Sequence, residues 1–478
     1  MTATATMDAK EVLGKLLDAE RLKYCFECGI CTSSCPMAEL VGKSYNPRGL
    51  LERILLDPES ALASDELWFC AWCYRCNKHC PQALRLPEVF LAMRKVAKER
   101  GHTASFEKAL QEIVENVPLP LVTTMVCFHP ERAELDKGKV LEKVEKAYEE
   151  HLKKEKARRA QEVSEEKIAI IGSGPAGLTV AYELNMKGYG VTIFEALSEP
   201  GGMLRKCIPQ SRLPKEILAK EIQFLRDLGV EIKTGVKVGE DLKLSDLWRD
   251  GYKAIFVGSG AHKCQTIKID GGDLNGVIHA LDFLWEANSG EKMNVGQKVI
   301  VIGGGNVAVD AARTARTFGA GEVTILYRRS REEIPATPWE VKEAEDEGVK
   351  IELLVAPRKI LGANGQVSSI ECIRIQLGEP DETGRRKPIP IEGSESVRET
   401  DMVIFATGEI PDLGFLPKEI ELNDDGTLWV NPITMETSVP GVFGGGDVVT
   451  GSATVIEAIR AGKCAAESIE NYLRSSRS

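Results

Sequence analysis

The chain has 478 residues, room for about three domains, and its 43% hydrophobic and 28% charged content is that of a soluble globular protein. Acidic side chains outnumber basic ones 72 to 61, and the net charge of −11 gives no support to binding of nucleic acid or an anionic membrane. No run of about 18 apolar residues appears, so no membrane span is expected, and the opening MTATATMDAKEVLGKLLD lacks the basic and apolar regions of a secretion signal, which makes the cytoplasm the expected compartment.

In chain order, Val12, Leu13, Leu16 and Leu17 fall at helical spacing and predict a helix within 8–23. Further helices are expected over 49–56 and 87–100, so residues 1–110 form an all-α domain. Eight of the 13 cysteines lie in this stretch, in two copies of one run. The first is Cys25, Cys28, Cys31 and Cys35 followed by Pro36; the second is Cys70, Cys73, Cys76 and Cys80 followed by Pro81. This C-x2-C-x2-C-x3-C-P spacing is that of two-cluster ferredoxins. Three close cysteines wrap three corners of one iron–sulfur cubane, and the fourth, set apart before a proline, reaches the neighbouring cubane. One [4Fe–4S] cluster therefore takes Cys25, Cys28, Cys31 and Cys80, and the other takes Cys70, Cys73, Cys76 and Cys35. Zinc is the competing assignment, but zinc sites use two ligand pairs and need neither the triple spacing nor the trailing Cys-Pro. The helical character and the 45 residues between Cys25 and Cys70 resemble the α-helical ferredoxin modules of the heterodisulfide reductase C subunit and of succinate dehydrogenase iron–sulfur subunits. Residues 111–164 read as a linker, and their second half, DKGKVLEKVEKAYEEHLKKEKARRAQEVSEEK, is mostly charge and predicts a solvated helix between domains.

From 167 the pattern is α/β. KIAIIG is a buried strand, followed by a helix over 176–187 and a strand over 190–195. The turn between strand and helix carries Gly172, Gly174 and Gly177 in a GxGxxG pattern, and Glu195 ends the second strand. The first glycine makes the turn, the second admits a pyrophosphate, and the third lets the helix pack on the strand, while Glu195 suits a ribose diol. KVIVIG (298–303) repeats the unit about 130 residues later, with a helix over 307–318 and a strand over 322–327. Its turn is Gly303, Gly305, Asn306 and Ala308, and Arg328 and Arg329 stand where an NAD site usually carries an acidic residue. Arginine there suits a 2′-phosphate, so NADP(H) is expected and NAD(H) is the weaker alternative. Further strands are expected at 254–260, 401–408 and 441–447.

Residues 165–478 resemble the glutamate synthase small (beta) subunit, and the module shared by dihydropyrimidine dehydrogenase and the electron-bifurcating ferredoxin:NADP oxidoreductase. The matching stretches include IAIIGSGPAGLTVAYEL, EPGGML, IPQSRLPKEI, VIVIGGGNVAVDAAR, YRRSREEIPA and SVPGVFGGGDVVTGSATVIEAIRAGK. The resemblance implies FAD, NADPH and electron flow through the N-terminal clusters. It places Gly202, Leu204, Gly446, Asp447 and Val455 at the FAD, besides the first glycine turn. It implies a Rossmann-like two-dinucleotide-domain reductase, with an FAD domain in two segments (165–288 and 401–478) around an NADP(H) domain (289–400). The chain departs from the family at Lys206-Cys207 and at Ser211; Cys207, alone in its region, reads as a small buried apolar residue. The function expected is an electron-transfer oxidoreductase subunit linking NADP(H), FAD and two clusters to a partner protein in a hetero-oligomer. That partner is expected to dock on the cluster domain near Lys43, Arg48, Arg75 and Lys78. A self-sufficient ferredoxin:NADP oxidoreductase, bifurcating or not, is the alternative; a glutamate synthase small subunit and a non-catalytic assembly protein stand further off.

Overall fold

The computed structural model describes residues 9–17, 25–42, 45–159, 164–265, 267–290, 293–381 and 384–476. Up to Arg159 the described backbone consists of helices and turns only. Asn46 caps the helix Pro47–Leu56 through Gly49 N, and Leu50, Leu51 and Ile54 bury its inner face. The helices α1 (Arg75–His79) and α2 (Leu86–Glu99) follow, and α2 turns Val89, Phe90, Met93, Val96 and Ala97 inward. Helix α3 (Lys137–Arg159) corrects the expectation of a solvated linker. Val140, Val144, Tyr148 and Leu152 form a buried stripe one residue wide, and Tyr148 sets its ring edge-on against Phe224 at 5.1 Å. Four apolar residues at a spacing of four suffice to bury one side of a helix whose average composition is charge.

By internal contacts the chain divides into two units. The first comprises Met1–Gly201, Lys215–Gly260 and Leu413–Ser478; the second comprises Gly202–Pro214 and Ala261–Asp412. The first unit holds β1 (Lys167–Ile171), β2 (Gly190–Glu195), β3 (Glu231–Thr234) and β4 (Tyr252–Val257). With the returning strand Val442–Gly444 they form one parallel sheet, in the order Val442–Gly444, β4, β1, β2, β3. Helices α4 (Pro175–Met186) and α5 (Lys215–Asp227) belong to it.

The second unit holds β5 (Val277–His279), β6 (Lys298–Ile302), β7 (Glu322–Tyr327), β8 (Lys350–Leu353), the antiparallel β9 (Val355–Ala363) to β12 (Ser396–Glu399), and β13 (Met402–Phe405). Its parallel sheet runs β5, β13, β6, β7, β8, with α6 (Asn306–Thr317) and α7 (Pro338–Asp346) among its helices. The expected boundaries at 288/289 and 400/401 therefore shift. β5 and β13 pair through Val277 and Val403, and Val403 pairs on its other side with Ile300, so all three strands share one sheet. A parallel strand buried on both faces is an apolar run in either sheet, and only its hydrogen-bonded neighbours assign it. Residues 202–214 also join this unit: Asn288 Nδ2 donates to the carbonyls of Lys206 and Ile208 at 3.1 Å, and the Arg212 guanidinium grips Asp310 of α6 at 2.9 and 3.0 Å. Helix α8 (Val455–Ser475) closes the first unit.

Candidate cofactor sites

The two cysteine runs fold alike. Gly29, between Cys28 and Cys31, has φ 64°, and Tyr74, between Cys73 and Cys76, has φ 57°. The second copy thus holds a buried tyrosine in the left-handed region that glycine occupies freely in the first. Cys35 and Cys80 repeat the same extended backbone before their prolines, ψ 116° and 115°.

Their electrostatic neighbours sort the cysteines into two sets. Burial pushes the Cys25 thiol up to about 11, and the thiols of Cys31, Cys80 and Cys28 add to the shift. Burial likewise pushes Cys35 up to about 12, with Cys70 and Cys31 adding, and Cys76 responds to Cys70, Cys73, Cys35 and Cys31. Cys80 thus lies with the first run and Cys35 with the second, and Cys31 faces both sets. Among the described residues no group of three or more His, Cys, Asp or Glu side chains closes on a point suited to one metal ion. Single zinc needs four ligands at about 2.0–2.3 Å from one centre. A cubane takes four thiolates, and four cysteines in each expected set match that donor count.

At the first glycine turn, Gly172 has φ 97°, and a Cβ there would lie 2.5 Å from Gly258 O. A Cβ on Gly177 would lie 2.1 Å from Gly172 O, so both positions exclude any larger residue. Gly174, at the start of α4, has open space around its missing side chain, the room a phosphate needs. Glu195 is buried; it accepts from Ser173 N at 3.0 Å and Leu197 N at 2.8 Å, and also from the Ser173 hydroxyl. Its two carboxylate oxygens retain further lone pairs for a ribose. Gly446 comes so close to α4 that a Cβ would sit 2.9 Å from Ala176 Cβ, which sets Asp447 beside the turn. Gly462 lets α8 pack on α4, where a Cβ would meet Ala176 O at 2.6 Å. Ser259 was not anticipated: its buried hydroxyl has no protein partner, and its Cα lies 3.2 Å from a Cβ built on Gly172. The Gly258-Ser259-Gly260 run after β4 was the available signal. A tight turn, an open phosphate seat and an orphaned hydroxyl beside it fit a bound dinucleotide. Gly202 and Leu204, also expected at the FAD, lie in the segment that joins the second unit.

The second turn repeats the device. A Cβ on Gly303 would lie 2.1 Å from Ala406 O, Gly305 is open, and Ala308 is fully buried in the third-glycine position. Asn306 Oδ1 accepts from Thr337 N at 3.1 Å. The two expected arginines part company. Arg328 is exposed beyond the end of β7. Arg329 is buried; its Nε donates to Arg386 O at 2.8 Å and its guanidinium stands 3.5 Å from Asp381. Its alternation along the chain turns it inward, so of the two arginines expected at a 2′-phosphate only Arg328 is exposed. Cys207 is buried with its Sγ 3.3 Å from Met203 Sδ, and burial pushes its thiol up to about 12, as suits a core residue.

Within the first unit the second cysteine run meets α8. Thr454 and Glu457 form a capping box at the start of this helix, with Thr454 Oγ1 donating to Glu457 Oε2 at 2.7 Å. The other oxygen of Glu457 accepts from Arg75, between Cys73 and Cys76, at 2.5 Å. Burial raises the Glu457 carboxyl, but Thr454 and Arg75 outweigh it and hold the group below the usual range. Val455 opens α8 at this contact. Arg75 is therefore paired within the chain, with its side chain still 37% exposed; Lys43 lies outside the described residues. Lys463 Nζ of α8 also donates to Leu40 O and Asn116 O at 3.3 and 3.1 Å.

A parallel sheet with a glycine-turn pyrophosphate seat, joined to a helical eight-cysteine domain, defines an iron–sulfur pyridine-nucleotide reductase. The pyridine nucleotide-disulphide oxidoreductase model matches residues 166–462, and the 4Fe-4S dicluster domain model matches residues 21–84. The chain is 40% identical to the NADP(+)-dependent formate dehydrogenase subunit beta of Moorella thermoacetica, over 84% of this chain and 60% of that protein. It is 36% identical to the NADPH-Fe(3+) oxidoreductase subunit beta of Geobacter sulfurreducens, over 83% and 63%. It is 38% identical to the glutamate synthase [NADPH] small chain of Azospirillum brasilense, over 64% and 67%. The chain thus spans somewhat over three-fifths of the first two relatives' length. Among solved structures, Mycobacterium tuberculosis FprA in complex with NADPH aligns with a TM-score of 0.56 at 20% identity, over 65% of this chain and 85% of that one, a likeness of fold. The chain belongs to the pyridine nucleotide-disulphide oxidoreductase family. It is an NAD(P)H oxidoreductase with FAD and two [4Fe–4S] clusters. Among the described residues no helix is long and apolar enough to cross a membrane.

Proposed function

We propose that this chain is the NADP(H)-facing subunit of a larger oxidoreductase, and that it passes electrons between NADP(H) and a partner protein through FAD and the two clusters. The observation that carries the route is the Arg75–Glu457 ion pair, which ties the Cys73–Cys76 loop to the first turn of α8. On this reading Gly172, Gly174, Gly177, Glu195, Gly446, Asp447 and Val455 would hold FAD. NADP(H) lies on Gly303, Gly305, Asn306 and Ala308, and Arg328 holds its 2′-phosphate. Cys35, Cys70, Cys73 and Cys76 would hold the cluster nearer the start of α8, and Cys25, Cys28, Cys31 and Cys80 would hold the other.

Bound flavin exchanges a hydride as an electron pair and the clusters exchange electrons singly. The protein's own work is positional. The open seats at Gly174 and Gly305 present helix N-termini to pyrophosphates. The positive end of α8 favours negative charge at Val455. Cys28 is exposed, as are Lys78 and Arg85 on either side of Cys80, which makes this face the exit toward an acidic partner surface. The β-subunit relatives named above support a hetero-oligomer.

Purified anaerobically, the isolated chain is expected to hold about eight irons, to reduce one-electron dyes with NADPH, and to convert no metabolite. Arg75→Ala is expected to leave flavin bleaching by NADPH intact and to slow the appearance of reduced clusters in rapid-freeze EPR. Fast NADPH-dependent turnover of a metabolite by the isolated chain overturns the subunit reading. Unchanged cluster reduction in Arg75→Ala overturns the route.

A further inference from the structure

The cysteine sets differ in what surrounds them. Arg94 of α2 is only 2% exposed. Its Nε donates to Leu67 O at 2.8 Å and its Nη2 to Cys70 O at 2.9 Å, with the guanidinium carbon 5.7 Å from the centre of the Trp68 ring. A guanidinium stays protonated in any protein interior, and a buried charge persists only when an opposite charge compensates it. Carbonyl dipoles and a ring face supply part of that compensation. Among the described residues no carboxylate pairs with it. Tyr45, 3% exposed, stands edge-on to Phe69 at 5.8 Å. A buried cation thus reaches the backbone of one cysteine of this set.

Among the described residues the other set has no such arrangement. Cys28 is exposed, Arg48 near Cys25 is half-exposed, and Cys80 Sγ accepts from Leu84 N at 3.4 Å. Solvent screens a charge at such a site, while a buried charge acts at low dielectric.

We propose that Arg94 is the permanent counter-ion of the cluster on Cys35, Cys70, Cys73 and Cys76, and that it raises the reduction potential of this cluster and not of its neighbour. The proposal rests on the ligand sets proposed above. A cluster bound by four thiolates is an anion and becomes more negative by one charge on taking an electron. A fixed cation favours the more negative state, and net charge is among the factors that set such potentials. The compensation is reciprocal: the cluster supplies the negative charge that Arg94 lacks, so the core around α2 is complete only when the cluster is in place.

The test is an EPR-monitored redox titration of the anaerobically purified full chain, with the two cluster signals assigned through Cys28→Ser. Arg94→Gln is expected to lower the midpoint of the Cys70 cluster by a tenfold change in its reduced-to-oxidised ratio or more, 59 mV for one electron, with the second signal unmoved. Arg94→Lys, which keeps the charge, is expected to restore most of the shift. If Arg94→Gln does not retain both clusters, Arg94→Met, which also removes the charge, decides, with a fall in the same signal. No movement of that signal, or equal movement of both, in a variant that keeps both clusters overturns the proposal. A wild-type chain without two cluster signals instead overturns the ligand reading on which it rests.

Discussion

Replacing Arg328 and Arg329 one at a time separates a ligand contact from a structural one. Arg328 is exposed beyond the end of β7, whereas Arg329 is 6% exposed and bonded to Arg386 O at 2.8 Å. A charge-assisted hydrogen bond contributes about 1.5–3 kcal/mol net. At 1.4 kcal/mol per factor of ten, losing one such bond to a 2′-phosphate weakens binding about 10- to 150-fold. Arg328→Ala is therefore expected to raise the NADPH dissociation constant by that factor and to leave the NADH constant unchanged, because NADH has no 2′-phosphate. Arg329→Ala is expected to act on both nucleotides alike, if at all, and to lower the melting temperature, since it removes a buried donor to the carbonyl of Arg386. The assay is anaerobic stopped-flow reduction of the flavin over a range of NADPH and NADH concentrations. NADPH preference that survives Arg328→Ala but disappears in Arg329→Ala refutes the assignment.

Glu195→Gln is expected to weaken FAD retention, because the carboxylate that orders Ser173 and Leu197 also faces the proposed ribose; equal flavin content and affinity after gel filtration count against it. Glu221, on α5, is buried and accepts from Leu121 N and Val122 N at 2.8 and 3.0 Å. Burial pushes its carboxyl from 4.5 up to about 7, the two N–H groups opposing. The folded state favours the protonated form, so this stability is fully present below pH 4.5 and is lost as pH rises through 7, about 3 kcal/mol in all. Melting temperatures at pH 5 and 8.5 are expected to differ less in Glu221→Gln than in wild type, and an identical pH dependence contradicts the reasoning. Cys80→Ser is expected to damage the same cluster as Cys28→Ser and to spare the one lost in Cys73→Ser; EPR of the three variants decides.

The sequence alone carried everything that depends on short spacing. The cysteine runs announce two clusters because a cubane fixes how far apart its ligands lie along the chain. The turns at Gly172 and Gly303 are legible because backbone contact at 2.1–2.5 Å forbids any Cβ there, and the strands around them are continuous apolar runs. Tertiary structure decided what depends on neighbours distant in sequence. β5 and β13 could sit in either sheet until hydrogen bonding assigned them, and the excursion 202–214 joined the second unit through Arg212 and Asn288. The stripe of Val140, Val144, Tyr148 and Leu152 was hidden by the charges around it, and became a packing surface only once Phe224 was found opposite. Arg75, Arg94, Arg328 and Arg329 are the same residue type in sequence. Burial and partner alone make the first an internal tie to Glu457, the second a cation beside Cys70, the third an exposed candidate for phosphate and the fourth a structural donor, because a guanidinium's role is set by the charge it faces and the water it has lost.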